Sequence, residues 1–148
     1  MGYIEQNAAS RARVLDLVAS TSPEVLAAPA EGGWTIAALL AHMAFWERVH
    51  IGRLRSAVDA GLAAPPPLPD GTPDLINAAA IPAWLSVPGR EAVRIFEQAS
   101  ADADRYLAGL DPAAVEGIRS AGYPRLVERF RHRTEHGDAI EAALGARG

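Results

Sequence analysis

The sequence predicts an all-α protein that folds as a four-helix bundle, with a long crossover connection between the second and third helices. Apolar residues recur with a helical period in four long segments, and no stretch shows the two-residue alternation of a β-strand. The proline-rich stretch 64–71 lies between the second and third segments and cannot be helical, because consecutive prolines lack N–H donors. We therefore expect a single domain over residues 1–148, large enough to bury its core without disulfides or a structural metal.

The first predicted helix is amphipathic and ends near Ser20. Its apolar positions follow helical spacing and are Ile4, Ala8, Ala12, Leu15 and Val18. After it, Ser22 and Pro23 predict one short helical turn, because serine caps helix N-termini and proline suits the first helical position. The pair Gly32-Gly33 then interrupts the chain before the second long segment.

The second predicted helix begins after Thr35, a good N-cap, and runs to about Gly61. Its apolar stripe consists of Ile36, Leu39, Leu40, Met43, Trp46, Leu54 and Val58. Phe45 and Val49 extend the apolar surface around the other side of His42. This histidine therefore lies among apolar neighbours, where its ring nitrogens need partners, either protein groups or a metal ion.

The crossover connection contains a further short element. We interpret stretch 64–71 as a stiff linker, in preference to a PxxP ligand for a partner domain. Residues 72–80 are predicted to form a short capped helix that stops before Pro82, with Trp84 and Leu85 acting as a lid or a core plug.

The third predicted helix begins near residues 86–88 and ends near Gly109. Its apolar positions are Val93, Phe96, Ala99, Ala103, Leu107 and Leu110. We expect an irregular stretch from there through Gly122, after which Pro124 begins the fourth helix and Gly145 ends it. One face of this last helix is formed by Leu126, Phe130, Gly137, Ile140 and Leu144.

The composition excludes several classes of site. The chain has no cysteine, so a metal ion would have to be held by histidine and carboxylate groups. A net charge of −4 with scattered arginines argues against a nucleic-acid partner. No apolar run approaches the ~20 residues that span a bilayer, and the N-terminus lacks the features of a signal peptide. We therefore expect a cytoplasmic protein with no membrane partner.

Three histidines predict a metal site. His132 and His136 are one turn apart on the fourth helix, so both imidazoles lie on the same face. Together with His42 they supply the three ligands of an open catalytic zinc site, which keeps a further position for water or substrate. His50 lies two turns beyond His42 on a different line of the helix, and we interpret it as a core or supporting residue, not as a ligand.

Each of these motifs also has a simpler interpretation. A lone histidine on an apolar face is more often a hydrogen-bonded core residue than a ligand, and an isolated i, i+4 histidine pair is often partly exposed. Residues 132–136 also match the HxxEH pattern of inverzincin peptidases. We expect that match to be accidental, because few residues follow it to supply the additional carboxylate ligand.

Taken in order, Gly-Gly-Trp-Thr at 32–35, Leu-Ala-His-Met at 40–43 and the later His132-x-x-x-His136 resemble the DinB/YfiT-like superfamily of bacterial four-helix bundles. Asp74-x-x-Asn77 also resembles that family, and the likeness covers nearly the whole chain. The resemblance implies that His42 and the pair on the fourth helix bind a divalent metal ion, zinc first, with nickel or another ion as alternatives. It also implies low-molecular-weight thiols such as mycothiol or bacillithiol as co-substrates, since the family includes transferases and isomerases that use them.

These inferences favour a metal-dependent enzyme, a thiol-dependent transferase or isomerase in which the ion activates a thiol or water. Candidate substrate-binding residues are Arg53, Arg125 and Trp46, and candidate catalytic carboxylates are Glu128 and Glu135. We expect a small-molecule substrate and leave a homodimer open. Two alternatives remain: a non-catalytic metal-containing protein that binds or sequesters a small molecule, and a metal-free helical interaction module.

Overall fold

The computed structural model of the chain describes residues 1–147, the side chain of residue 31 excepted. Within those residues it contains eight α-helices, one 3-10 turn and no β-strand. The helices are α1 (Tyr3–Val18), α2 (Pro23–Leu26), α3 (Ile36–Asp59), α4 (Thr72–Leu85), α5 (Gly89–Ala108), α6 (Pro112–Ser120), α7 (Pro124–Val127) and α8 (Phe130–Gly145). The predicted all-α architecture is confirmed.

The four long helices close into a ring. Helix α3 packs against α5 and α8, and α1 packs against the same two helices. Their facing side chains form the main core, whose fully buried members include Val14, Leu40, Met43, Phe96 and Ile140. The long crossover between α3 and α5 carries α4, which packs on α3. None of the helices in the described part of the chain has both the length and the apolar character needed to cross a bilayer.

Helix α3 begins as the sequence predicts, because Thr35 Oγ1 accepts a hydrogen bond from the Ala38 N–H at 3.0 Å. Its predicted stripe is buried except for Val58, which is 48% exposed. That exception lies in the last turn, where the buried face passes to Ala57. Before the helix, Pro29 and Thr35 form an isolated antiparallel bridge, which closes the loop around the glycine pair.

Helix α4 is longer than predicted, and the prediction that it stops before Pro82 is wrong. The helix runs through this proline to Leu85, and its N-cap is Gly71, in the left-handed conformation and without a side-chain cap. Proline removes one backbone donor from a helix and crowds the carbonyl four residues earlier, and we attribute the continuation of α4 to the burial of Trp84 in the following turn. Trp84 is 6% exposed and fills the role of core plug, whereas Leu85 is 44% exposed.

The stretch predicted to be irregular before Gly122 contains helix α6, so that prediction is also wrong. Asp111 caps this helix by accepting a hydrogen bond from the Ala113 N–H at 2.7 Å. The side chains of Val115 and Ile118 are buried in a second cluster of apolar side chains, separate from the main core. Two core positions are too few for a helical period to be recognised in the sequence.

The predicted fourth helix is in fact two helices, α7 and α8, separated at Glu128, whose backbone is non-helical. Asn7 of α1 spans the break: its Nδ2 donates to the Val127 carbonyl at 2.9 Å, and its Oδ1 accepts from the Phe130 N–H at 2.9 Å. A buried break would otherwise leave backbone polar groups unpaired. One side-chain amide therefore stabilises a change of direction immediately before the histidine pair.

A buried network of charges joins α8 to the rest of the ring. Glu47 on α3 accepts hydrogen bonds from Arg129 Nε at 3.1 Å and Arg133 Nε at 2.9 Å. Arg133 also donates to Asp104 Oδ1 on α5 at 2.8 Å and to the Asn7 carbonyl on α1 at 2.8 Å. Buried charges are tolerated only when they are paired in this way. The network fixes α8, and with it the histidine pair, relative to the three other long helices.

Candidate metal centre

Three imidazoles converge at the contact between α3 and α8. His42 Nε2 lies 3.1 Å from His132 Nε2, and His136 Nε2 lies 3.1 Å from the same atom. The three ligand atoms all lie within 4.8 Å of one another. Ligands placed about 2.0–2.1 Å from one tetrahedral ion are about 3.3–3.4 Å apart, which is close to the two distances that involve His132 Nε2.

The donor set itself fits a divalent cation. Each of the three nitrogens that meet here carries either one proton or one lone pair, so a simple hydrogen bond joins only two of them. A cation that accepts the three lone pairs would bind all three nitrogens. Three imidazole nitrogens suit zinc, nickel, copper or iron better than magnesium or calcium, which prefer oxygen ligands.

Burial keeps two of these rings, His42 and His132, in the form that binds metal. Burial, and after it the neighbouring His136, lower the pKa of His42 from its usual value near 6.5 to about 3. Burial, followed by the guanidinium of Arg129, also lowers the pKa of His132. Both side chains are therefore neutral at physiological pH, and only the neutral imidazole has a lone pair to donate.

Two tryptophan rings pack edge-to-face against the imidazole of His42. Its ring centroid lies 4.9 Å from that of Trp34 and 5.0 Å from that of Trp84, with interplanar angles of 81° in both cases. Trp34 follows the turn at Gly32-Gly33, whose φ angles of +61° and +82° favour glycine. His42 is 4% exposed, and its Nδ1 has no hydrogen-bond partner among the described residues. Packing therefore sets the orientation of this ring.

A guanidinium group lies behind the ring of His132. Arg129 Nη2 lies 3.4 Å from His132 Nδ1, and the same guanidinium binds Glu47. We did not identify Glu47, Arg129 or Arg133 from the sequence. The available signal was their position, since Glu47 falls within the apolar stretch of α3 and the two arginines are an i, i+4 pair that alternates with the two histidines. Charged residues on a face predicted to be buried mark a paired network.

A cavity of about 580 Å³ opens from the histidine cluster and is bounded by α3, α4 and α8. Trp46, one turn beyond His42, lines it, and its Nε1 donates to Asn77 Oδ1 on α4 at 2.8 Å. His50, a further turn along, lines the same cavity. A small molecule in this space would contact α3 along two helical turns.

The structure brings some of the predicted site residues to this cavity and leaves others away from it. Trp46, Arg125 and Glu135 line it, and the last two form an ion pair with each other. Arg53 is outside the lining and donates to the Pro66 carbonyl at 2.7 Å. Glu128 is also outside the lining; its carboxylate pairs with Arg119 at 3.1 Å and Arg131 at 2.6 Å.

The fold and the site together define a class of protein. It is an all-α bundle with a three-histidine candidate metal centre at one end of an open cavity. The family model described as the DinB superfamily matches residues 6–140, and the chain belongs to that superfamily. The resemblance seen in the sequence is thereby confirmed. Searches of curated proteins and of solved structures gave no match to the chain.

Proposed function

We propose that this protein is a metal-dependent enzyme, a thiol-dependent transferase or isomerase, in which His42, His132 and His136 hold one divalent cation. Zinc is the expected ion. The observation that carries the proposal is the meeting of three imidazole nitrogens at one end of an open cavity. Membership of the DinB superfamily supports it without specifying a reaction.

When bound, a divalent cation supplies Lewis-acid activation of a thiol or a water molecule at neutral pH. The protein's own part is to hold three imidazole ligands in a fixed arrangement. Trp34 and Trp84 cover His42 and exclude water from that side of the cluster. Because the chain contains no cysteine, any sulfur nucleophile has to come from a small co-substrate.

The cavity supplies the groups that would meet this co-substrate and its partner. Trp46 offers an indole face held in place by Asn77. Glu135 is the cavity carboxylate that lies on α8 with the histidine pair, and it is the candidate acceptor for a proton released there, at either carboxylate oxygen. Its partner Arg125 would hold it in position.

Metal analysis tests the ligand assignment. Protein produced without an affinity tag should retain about one divalent ion per chain after dialysis, and His42→Ala, His132→Ala and His136→Ala should each lower that content by at least tenfold. His50→Phe is the matched control, because it removes the remaining histidine of the chain and should leave the metal content unchanged. Unchanged content in all three ligand variants would show the assignment to be wrong.

A cobalt-substituted sample tests the thiol chemistry. Addition of a small thiol should produce sulfur-to-cobalt charge-transfer absorption, which His42→Ala should weaken. Turnover of a thiol with an electrophile then separates an enzyme from a protein that only binds small molecules. Thiol binding without turnover over a panel of electrophiles would favour the non-catalytic alternative.

A further inference from the structure

His50 lines the cavity, but it is neither a candidate metal ligand nor a member of the hydrogen-bond networks described above. Its ring lies against that of Trp46, with centroids 5.4 Å apart and an interplanar angle of 32°. Neither ring nitrogen has a hydrogen-bond partner among the described residues, and only Nδ1 is shut off from solvent. Nε2 is therefore the nitrogen through which this ring can meet a ligand in the cavity.

Within the described part of the chain, Nδ1 of this ring is buried without a partner in either tautomer. A buried N–H without an acceptor is rarer in proteins than a buried acceptor without a donor, which favours the proton on Nε2. With the proton on Nε2, the N–H reaches the cavity and can be satisfied by water or a ligand. His50 thus presents a hydrogen-bond donor, and burial, followed by the guanidinium of Arg129, lowers its pKa to about 3, so the ring stays neutral at physiological pH.

The electrostatic environment of this donor favours a negatively charged acceptor. Arg129, Arg53 and Arg125 all act on the ring of His50 with their positive charges. Two carboxylates, Asp74 and Glu135, also line the cavity, but neither is among the charges that act on the His50 ring, and the charges of Glu135 and Arg125 offset each other. An oxygen acceptor that carries negative charge would therefore gain both a hydrogen bond and a favourable potential at this end of the cavity.

We propose that His50 is a substrate-binding residue whose Nε2–H donates to a carboxylate oxygen at the end of the ligand remote from the three-histidine cluster. His42 and His50 are eight residues apart on α3, about 12 Å along its axis, with Trp46 between them. The ligand class is an elongated molecule with a reactive end, a middle that packs on the indole, and a terminal carboxylate. Its reactive end rests on the proposed metal-dependent function, whereas the role of His50 rests on the cavity alone.

Two matched probes test the proposal: mercaptooctanoate, and mercaptooctanol, which has the same chain and thiol but a neutral terminus. Isothermal titration calorimetry of the zinc-loaded protein should give about tenfold tighter binding of the acid, the effect of one hydrogen bond to a charged group. His50→Phe keeps the packing on Trp46 but has no donor, and should bind the two probes equally. His50→Gln can place an amide N–H near the original Nε2, and should recover part of the preference.

Far-UV circular dichroism and thermal melting should show that both variants are folded before they are titrated. Equal binding of acid and alcohol by the wild-type protein, a preference that persists in His50→Phe, or no binding of either probe would each overturn the proposal. The cobalt absorption band separates this result from the proposed function. A band without carboxylate preference refutes the role of His50 alone, whereas a His50-dependent preference without a band refutes only the thiol chemistry.

Discussion

The guanidinium of Arg133 donates from Nε to Glu47 Oε1 at 2.9 Å, and the side chains of both residues are fully buried. Burial alone would lower the pKa of Arg133, but Glu47 and then Asp104 raise it, so the guanidinium stays charged. Glu47 is also the partner of Arg129, which lies against the imidazole of His132. One carboxylate on α3 therefore connects the packing of α8 to the metal centre.

Replacement of that carboxylate should be strongly destabilising. Glu47→Gln leaves the buried guanidinium of Arg129 without an anionic partner and that of Arg133 with Asp104 alone, and we expect the free energy of unfolding to fall by about 3–5 kcal/mol. Urea denaturation followed by circular dichroism measures the change. Asp102→Asn, which breaks an exposed pair with Arg105, is the control and should change stability little. A small effect at Glu47 would mean that the network is not tightly held.

Asn7 should be essential to the geometry between α7 and α8. Asn7→Ala removes the partners of the Val127 carbonyl and the Phe130 N–H, each loss costing about 1–3 kcal/mol. We also expect weaker metal binding, measured by competition with a chromophoric chelator, because α8 would lose its fixed direction. Gln6→Ala, a neighbouring exposed amide bonded to the Met1 carbonyl, should have little effect on either quantity.

Trp84 should contribute both to the stability of the fold and to the affinity for the metal ion. Trp84→Ala empties buried volume beside His42 and should lower the free energy of unfolding by about 3–5 kcal/mol. Loss of ring orientation should weaken metal binding by about 10–100-fold. The adjacent Leu85→Ala, at an exposed position, is the control. Equal metal affinity in the two variants would show that the aromatic contact does not orient His42.

The free energy of unfolding should depend on pH in a way that reflects the burial of His50. Its pKa is near 6.5 when unfolded and about 3 when folded, so below pH 6.5 the unfolded state binds a proton that the folded state does not. Its stabilising contribution is complete above pH 6.5 and is lost as pH falls towards 3. His50→Phe should therefore flatten the fall in unfolding free energy over this window by up to about 1.4 kcal/mol per pH unit. Parallel curves for the two proteins would contradict this.

The sequence was sufficient for the bundle and for the three histidines. The apolar stripe of α3 and the cap at Thr35 are local patterns, and the pair His132 and His136 needs only the helical period to share a face. Placement of His42 opposite that pair followed from the family resemblance and the bundle architecture. Local pattern and tertiary structure agree at these positions.

The remaining features depend on contacts that no local pattern contains. The break at Glu128 is stabilised by Asn7, which lies 120 residues before Val127 in the chain. Helix α4 continues through Pro82 because Trp84 packs on α3, a tertiary effect that outweighs the local preference of proline. The same limit applies to Arg53 and Glu128, whose partners, the Pro66 carbonyl and Arg119, become evident only in the folded chain.

The separation of the candidate metal ligands along the chain also bears on how the protein matures. His42 precedes His132 by 90 residues, so a growing polypeptide has one ligand until nearly the whole bundle has been synthesised. Contacts between residues this distant form late, because the entropy of closing a long loop must be overcome first. Tight capture of the ion would thus follow assembly of α3 and α8, and its uptake during refolding would measure completion of the tertiary structure, separately from helix formation.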